Sequence, residues 1–196
     1  MFPNRKLSPV NERTGDRVLS ELFKTPARVS MLRTILGLPV VTVSEIARKE
    51  GVAKGTVSRY LSLMERGGLT QRSGRKYRVT TSPVTIATKK LLNLFQLEDA
   101  VTLPGWAEGI GVFGSWGLGT NTAESDLDLW VYAREVPPAG ETGRLQRAIR
   151  DAVLSEVHVL VLTPERVHSL QETDPPFYTS LVESMVTLRG KSFVHA

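Results

Sequence analysis

Cysteine is absent from this chain of 196 residues. Disulfides and thiolate metal sites are thereby excluded, and the three histidines, at positions 158, 168 and 195, have no zinc-binding spacing. Any metal must be held by oxygen. No apolar run reaches the roughly 18 residues that a membrane-spanning helix needs, and the N-terminal MFPNRKLSPV lacks the apolar centre of a signal peptide. A cytoplasmic protein without membrane contact is expected. The apolar fraction, 41%, is ordinary and allows one medium domain or two small ones.

Acidic residues are scarce in the first half only. Residues 1–97 hold 18 Lys and Arg against 6 Asp and Glu, a balance of +12, whereas residues 98–196 hold 7 against 14, a balance of −7. The basic half suits a phosphate backbone. The acidic half does not, unless its carboxylates are metal ligands.

Residues 1–19 are polar, carry two prolines and show little periodicity, which predicts a flexible basic arm. A first domain is expected over 20–97. Thr25-Pro26 opens a helix through Val29, Leu32, Ile35 and Leu36, stopped by Gly37 and Pro39. Thr42-Val43-Ser44-Glu45 reads as a capping box that opens a second helix. After a glycine turn comes a third, with Val57, Leu61 and Met64 on one face and Lys54, Thr56, Ser58 and Arg59 on the other. This is a helix-turn-helix pattern. Two short extended runs around Ser73-Gly74 follow, carrying Arg72, Arg75, Lys76 and Arg78. Residues 25–81 together resemble winged-helix DNA-binding domains. That resemblance implies double-stranded DNA as partner, with the eight polar and basic residues just named in contact with it. A fourth helix from Ser82-Pro83 is expected to link the domains or pair two copies as a homodimer, the alternative being a plain core helix.

The second domain is expected over 98–196. Its centre is GVFGSWGLGTNTAESDLDLWVYA, residues 111–133: an apolar strand, a glycine-rich loop and a second strand. Alternation along the second strand puts Asp126 and Asp128 on one face and sends Leu127 and Leu129 into a core. Two carboxylates held side by side repel unless a cation lies between them, and a hard divalent ion takes carboxylate oxygens. Gly114 lets a ligand approach the backbone, and Ser115 adds a hydroxyl. Metal and phosphate together point to a nucleotide.

Gly114-Ser115, ten residues, then Asp126-Leu127-Asp128-Leu129 resembles the signature of the DNA polymerase beta nucleotidyltransferase superfamily, in its minimal branch. The resemblance implies that Asp126 and Asp128 bind Mg2+ or Mn2+, that Gly114 and Ser115 cradle a nucleoside triphosphate, and that a third catalytic and metal-binding acid lies on the next strand. Glu156 is the candidate for that acid, with His158 competing for the position. Many relatives carry a basic residue three places after the serine, where this chain has Leu118. Trp116 either stacks on a base or packs in its own domain.

The expected fold is α+β in two domains, a winged helix followed by an α/β nucleotidyltransferase fold with a short mixed sheet. The expected function is a DNA-binding nucleotidyltransferase that uses Mg2+ to move a nucleoside monophosphate from a nucleoside triphosphate onto an acceptor the sequence does not identify, a protein or an RNA being the candidates. The competing reading is a transcriptional regulator or antitoxin-like protein whose second domain only binds a nucleotide or a partner.

Overall fold

A computed structural model describes residues 14–194. The chain divides into two units, residues 1–82 and 83–196.

In the first unit α1 spans Thr14–Leu22, α2 Pro26–Leu36, α3 Val43–Glu50 and α4 Lys54–Arg66. Thr25 caps α2 by accepting from the Arg28 N–H at 3.3 Å, and Thr42 caps α3 by accepting from the Glu45 N–H at 3.2 Å. Three short strands, β1 Val40–Thr42, β2 Thr70–Ser73 and β3 Lys76–Val79, form an antiparallel sheet in the order β1-β3-β2. Leu32, Ile35, Ile46, Val57, Leu61 and Met64 are fully buried between the helices. The arm expected over residues 1–19 is corrected where it can be seen: residues 14–19 belong to α1, whose Val18 and Leu22 are buried four residues apart, one helical turn. Residues 1–13 lie outside the described residues.

The second unit begins with α5, Pro83–Ala100. The sequence pattern places this helix with the first domain, but Leu97 and the following Val101 sit in the core of the second unit beside Ile110, Leu127 and Leu129. The boundary therefore falls at residue 82 rather than 97. Next come β4 Gly109–Phe113, α6 Gly114–Leu118, β5 Leu127–Tyr132, α7 Glu141–Val153, β6 Val157–Leu162, α8 Pro164–Thr173, α9 Pro175–Ser184 and β7 Val186–Gly190. The sheet runs β6-β5-β4-β7 and is mixed: β5 pairs with β6 in parallel, while β4 pairs antiparallel with both β5 and β7.

Residues on β5 alternate between two cores. Leu127, Leu129 and Val131 face a cluster with Ile149 and Val153 of α7, and Trp130 and Tyr132 face one with Leu170 of α8 and Leu181 of α9. Burying side chains such as Leu127 and Leu129 contributes about 1.5–3 kcal/mol each and fixes the register, because a one-residue slip would carry both leucines to the other face and turn the Asp128 carboxylate toward the core against α7. Among the described residues no helix is long and apolar enough to cross a membrane.

Candidate active site and nucleic-acid interface

The leucines that anchor β5 fix the carboxylates between them. Asp128 lies within the strand, opposite Phe113 of β4 on one side and His158 of β6 on the other. It is half-buried. Burial pushes its carboxyl above the ordinary range, opposed by the nearby His158 and reinforced by the charge of Asp126. Asp126 sits just before the strand and is exposed. The His158 Nε2 lies 3.4 Å from Asp126 Oδ2.

Gly114 adopts a positive φ of 63°, and a Cβ built on it would stand 2.9 Å from Asp128 Oδ2. A bare backbone is needed there for the carboxylate to keep its place. Its N–H donates to the Ser184 hydroxyl at 3.0 Å, and that hydroxyl donates to the Ser180 carbonyl at 2.7 Å. The Gly114 amide is therefore already committed. Ser115 is half-buried, and its hydroxyl makes no hydrogen bond among the described residues. Gly117 lets α6 lie on the end of α9, since a Cβ there would meet the Ser184 carbonyl oxygen at 2.1 Å.

Behind α6, the buried Asn93 amide donates to the Trp116 carbonyl at 3.0 Å and to Asn121 Oδ1 at 2.8 Å. Lys89 donates to the Asn121 carbonyl, and burial lowers the pKa of its amine. These bonds tie the loop between Ser115 and Asp126 to α5. Trp116 is buried, its indole N–H directed at the Ser125 carbonyl at 3.5 Å, so it packs in the domain and is not exposed for base stacking. Ser184, Asn93 and Lys89 are missed by motif reasoning. The one hint is a polar Asn93 inside an apolar helical run.

A family model for the nucleotidyltransferase domain matches residues 96–187, and one for the IclR helix-turn-helix domain matches residues 29–74. The chain joins a helix-turn-helix domain to a nucleotidyltransferase domain. Among solved structures, the Shewanella oneidensis tri-AMPylated HEPN toxin in complex with MNT antitoxin is similar at 17% identity over 52% of this chain and 73% of that one, with a TM-score of 0.35. A toxin-antitoxin crystal structure with AMP-PNP is similar at 22% identity over 53% and 73%, with a TM-score of 0.34. No curated protein matches.

In the nucleotidyltransferase domain, Gly114 and Asp128 converge, with Asp126 and His158 alongside. Glu156 lies beside the start of β5. It precedes β6, its carbonyl accepts from the Leu127 N–H at 2.8 Å, and its exposed side chain lines a hollow of about 330 Å3 with Ser125, Asp126 and Arg150. The register puts His158 beside Asp128 instead. Among the described residues no three carboxylates or histidines gather in a group that could hold a metal ion. The His158 side chain is 63% exposed on the edge strand β6.

In the helix-turn-helix domain, Lys54, Thr56, Ser58 and Arg59 are all exposed on the first turns of α4, while Val57 and Leu61 anchor the opposite face. Arg75, Lys76 and Arg78 are exposed on the hairpin of β2 and β3. Arg72 is partly used at home, its Nε donating to the Gly74 carbonyl at 3.0 Å and its guanidinium lying 5.7 Å from the Tyr77 ring centroid.

Proposed function

We propose that the protein binds duplex DNA through its helix-turn-helix domain and that its second domain transfers a nucleoside monophosphate from a nucleoside triphosphate to an acceptor hydroxyl. One observation carries the reading. The bare backbone of Gly114 lies against the half-buried Asp128 carboxylate, with Asp126 two residues away and the Ser115 hydroxyl open beside them.

The donor set fits a divalent cation such as Mg2+ or Mn2+. Mg2+ is commonly held by one or two carboxylates plus the oxygens of a bound phosphate, and Asp126 and Asp128 supply two. A half-buried carboxylate whose charge is disfavoured gains from a cation. The ion, when bound, would supply positive charge to the non-bridging phosphate oxygens.

The remaining roles fall to the chain itself. The Ser115 hydroxyl donates to the distal phosphates. Asn93, Lys89 and Ser184 hold the loop and α6, so the triphosphate meets a fixed frame rather than one that must be ordered on binding. The acceptor oxygen bonds to the α-phosphorus as the α–β bridging bond breaks, pyrophosphate leaves, and the acceptor proton passes to water. Asp126 and Asp128 suffice to hold the ion in this reading, and Glu156, one position before β6, is left to the acceptor side.

The test is to incubate the full-length protein with Mg2+ and each α-labelled nucleoside triphosphate, alone and with added RNA, DNA or protein. Pyrophosphate release with label on an acceptor is expected, and D128N should abolish both. Tight nucleotide binding without pyrophosphate under every condition would favour the regulator reading, which His158 beside Asp128 in place of an acid also supports.

A further inference from the structure

In the first unit, α1, α2 and α4 enclose a hollow of about 730 Å3, within the size range of small-molecule sites. Its floor is apolar. Val18, Met31 and Leu63 are buried there, beside Tyr60, whose hydroxyl is spent on the Leu22 carbonyl at 3.0 Å.

The rim is cationic. Arg28 is answered by Glu21, donating to its carboxylate and to its carbonyl at 2.5 Å each. Glu21 also accepts from Lys24 at 2.9 Å, and the two bonds, that from Lys24 first, pull its carboxyl down to about 2. The one acid of the lining is thus engaged twice. Arg17, Arg59 and Arg66 are exposed around the same hollow, and among the described residues no ion pair is recorded for them. Three guanidinium groups lining one hollow, with Glu21 as its one acid, favour an anion there.

We propose that this hollow binds a small organic anion, its phosphate or carboxylate head met by Arg17, Arg59 and Arg66 and its apolar body resting on Val18, Met31 and Leu63. Thr56 and Arg59 also belong to the surface assigned to DNA, so an occupied hollow competes with the duplex. A sugar-phosphate backbone fits less well, because it has nothing apolar to set against Val18, Met31 and Leu63. The site itself does not depend on DNA binding. The competition rests on that reading.

The experiment uses the full-length protein and naphthyl phosphate, followed by the anisotropy of its own fluorescence, with inorganic phosphate and naphthol as its two halves. Naphthyl phosphate should bind at least about tenfold tighter than either half. R17Q and R66Q should each weaken it about tenfold, the scale of one charge-assisted hydrogen bond. D128N should leave it unchanged, which separates this site from the nucleotide site. In a second arm, naphthyl phosphate should displace labelled duplex from the parent protein and do so far less from R66Q.

Binding no tighter than that of the halves, or unchanged in both arginine variants, would overturn the site. Weakened DNA binding in R17Q and R66Q without any binding of naphthyl phosphate would also overturn it and give the arginines to the DNA backbone. A parent that binds naphthyl phosphate but no duplex would overturn the competition and the DNA reading while upholding the site.

Discussion

Replacing Gly114 with alanine tests the centre of the nucleotidyltransferase site without removing a single polar group. At φ +63° a side chain costs about 1–2 kcal/mol in the backbone. The new Cβ would lie 2.9 Å from Asp128 Oδ2, and moving that carboxylate off its rotamer adds about 0.5–1.5 kcal/mol. The sum is about 2–3 kcal/mol. For a unit spanning residues 83–196, at about 4 °C per kcal/mol, melting should fall by about 8–12 °C. Displacing Asp128 should also weaken Mg2+-nucleotide binding by about tenfold or more, since even one lost charge-assisted contact is worth that much. Scanning calorimetry reads the first effect and titration calorimetry with a non-hydrolysable triphosphate the second. In a D128A background the contact vanishes, so the alanine should cost only the backbone share and the cycle should show a coupling of about 0.5–1.5 kcal/mol. G114A melting within about 1 °C of the parent with unchanged nucleotide affinity would refute the reasoning. An equal cost with and without Asp128 would confine the strain to the backbone.

D126N should lose Mg2+-dependent nucleotide binding while keeping its melting temperature within about 2 °C, because Asp126 is exposed ahead of the strand; titration and circular dichroism check the two halves of that statement. E156Q should change transfer by less than about threefold, since His158 and not Glu156 lies beside Asp128; a loss of about a hundredfold, the scale of a missing general base, would return Glu156 to catalysis. DNA affinity should fall steeply with salt, and K54A or R75A should each lower the log-log salt slope by about one; an unchanged slope in both would remove these residues from the phosphate contacts. Glu21 has its pKa lowered from 4.5 to about 2, so the stability it contributes is present above pH 4.5 and lost as pH falls through about 2. E21Q should therefore flatten the acid limb of the stability profile of the first unit in that window, and unfolding curves collected across it would show whether the limb moves.

Local chemistry made much of this structure legible in the sequence. Thr25-Pro26 and Thr42 with Glu45 mark helix starts because capping depends on residues three apart, and the leucines around Asp128 reveal the strand because one face must be apolar. The Gly-Ser and Asp-x-Asp pair is likewise local on each side, so its approach across β4 and β5 follows from the motif. What escaped is what distant residues decide. α1 reads as a polar arm because only Val18 and Leu22 signal that a helix waits for it. β7 carries a mixed pattern and becomes a strand by pairing with β4. The position of the third acid was open in the sequence because a shift of two residues along a strand keeps the face; the pairing of β5 with β6 sets Asp128 opposite His158. Ser184 has no motif at all, and its role depends on a partner 70 residues away.

That separation has a consequence for synthesis. β4 is an inner strand whose neighbour β7 lies near the other end of the domain, and the amide of Gly114 is held by a hydroxyl made long after it. A nascent chain emerging from the ribosome can assemble its first unit from segments close in sequence, while the second waits for residues 184–190. During translation the proposed nucleotide site therefore matures after the first unit, and a ribosome stalled before residue 184 would display a folded helix-turn-helix while Gly114 still lacked its Ser184 partner.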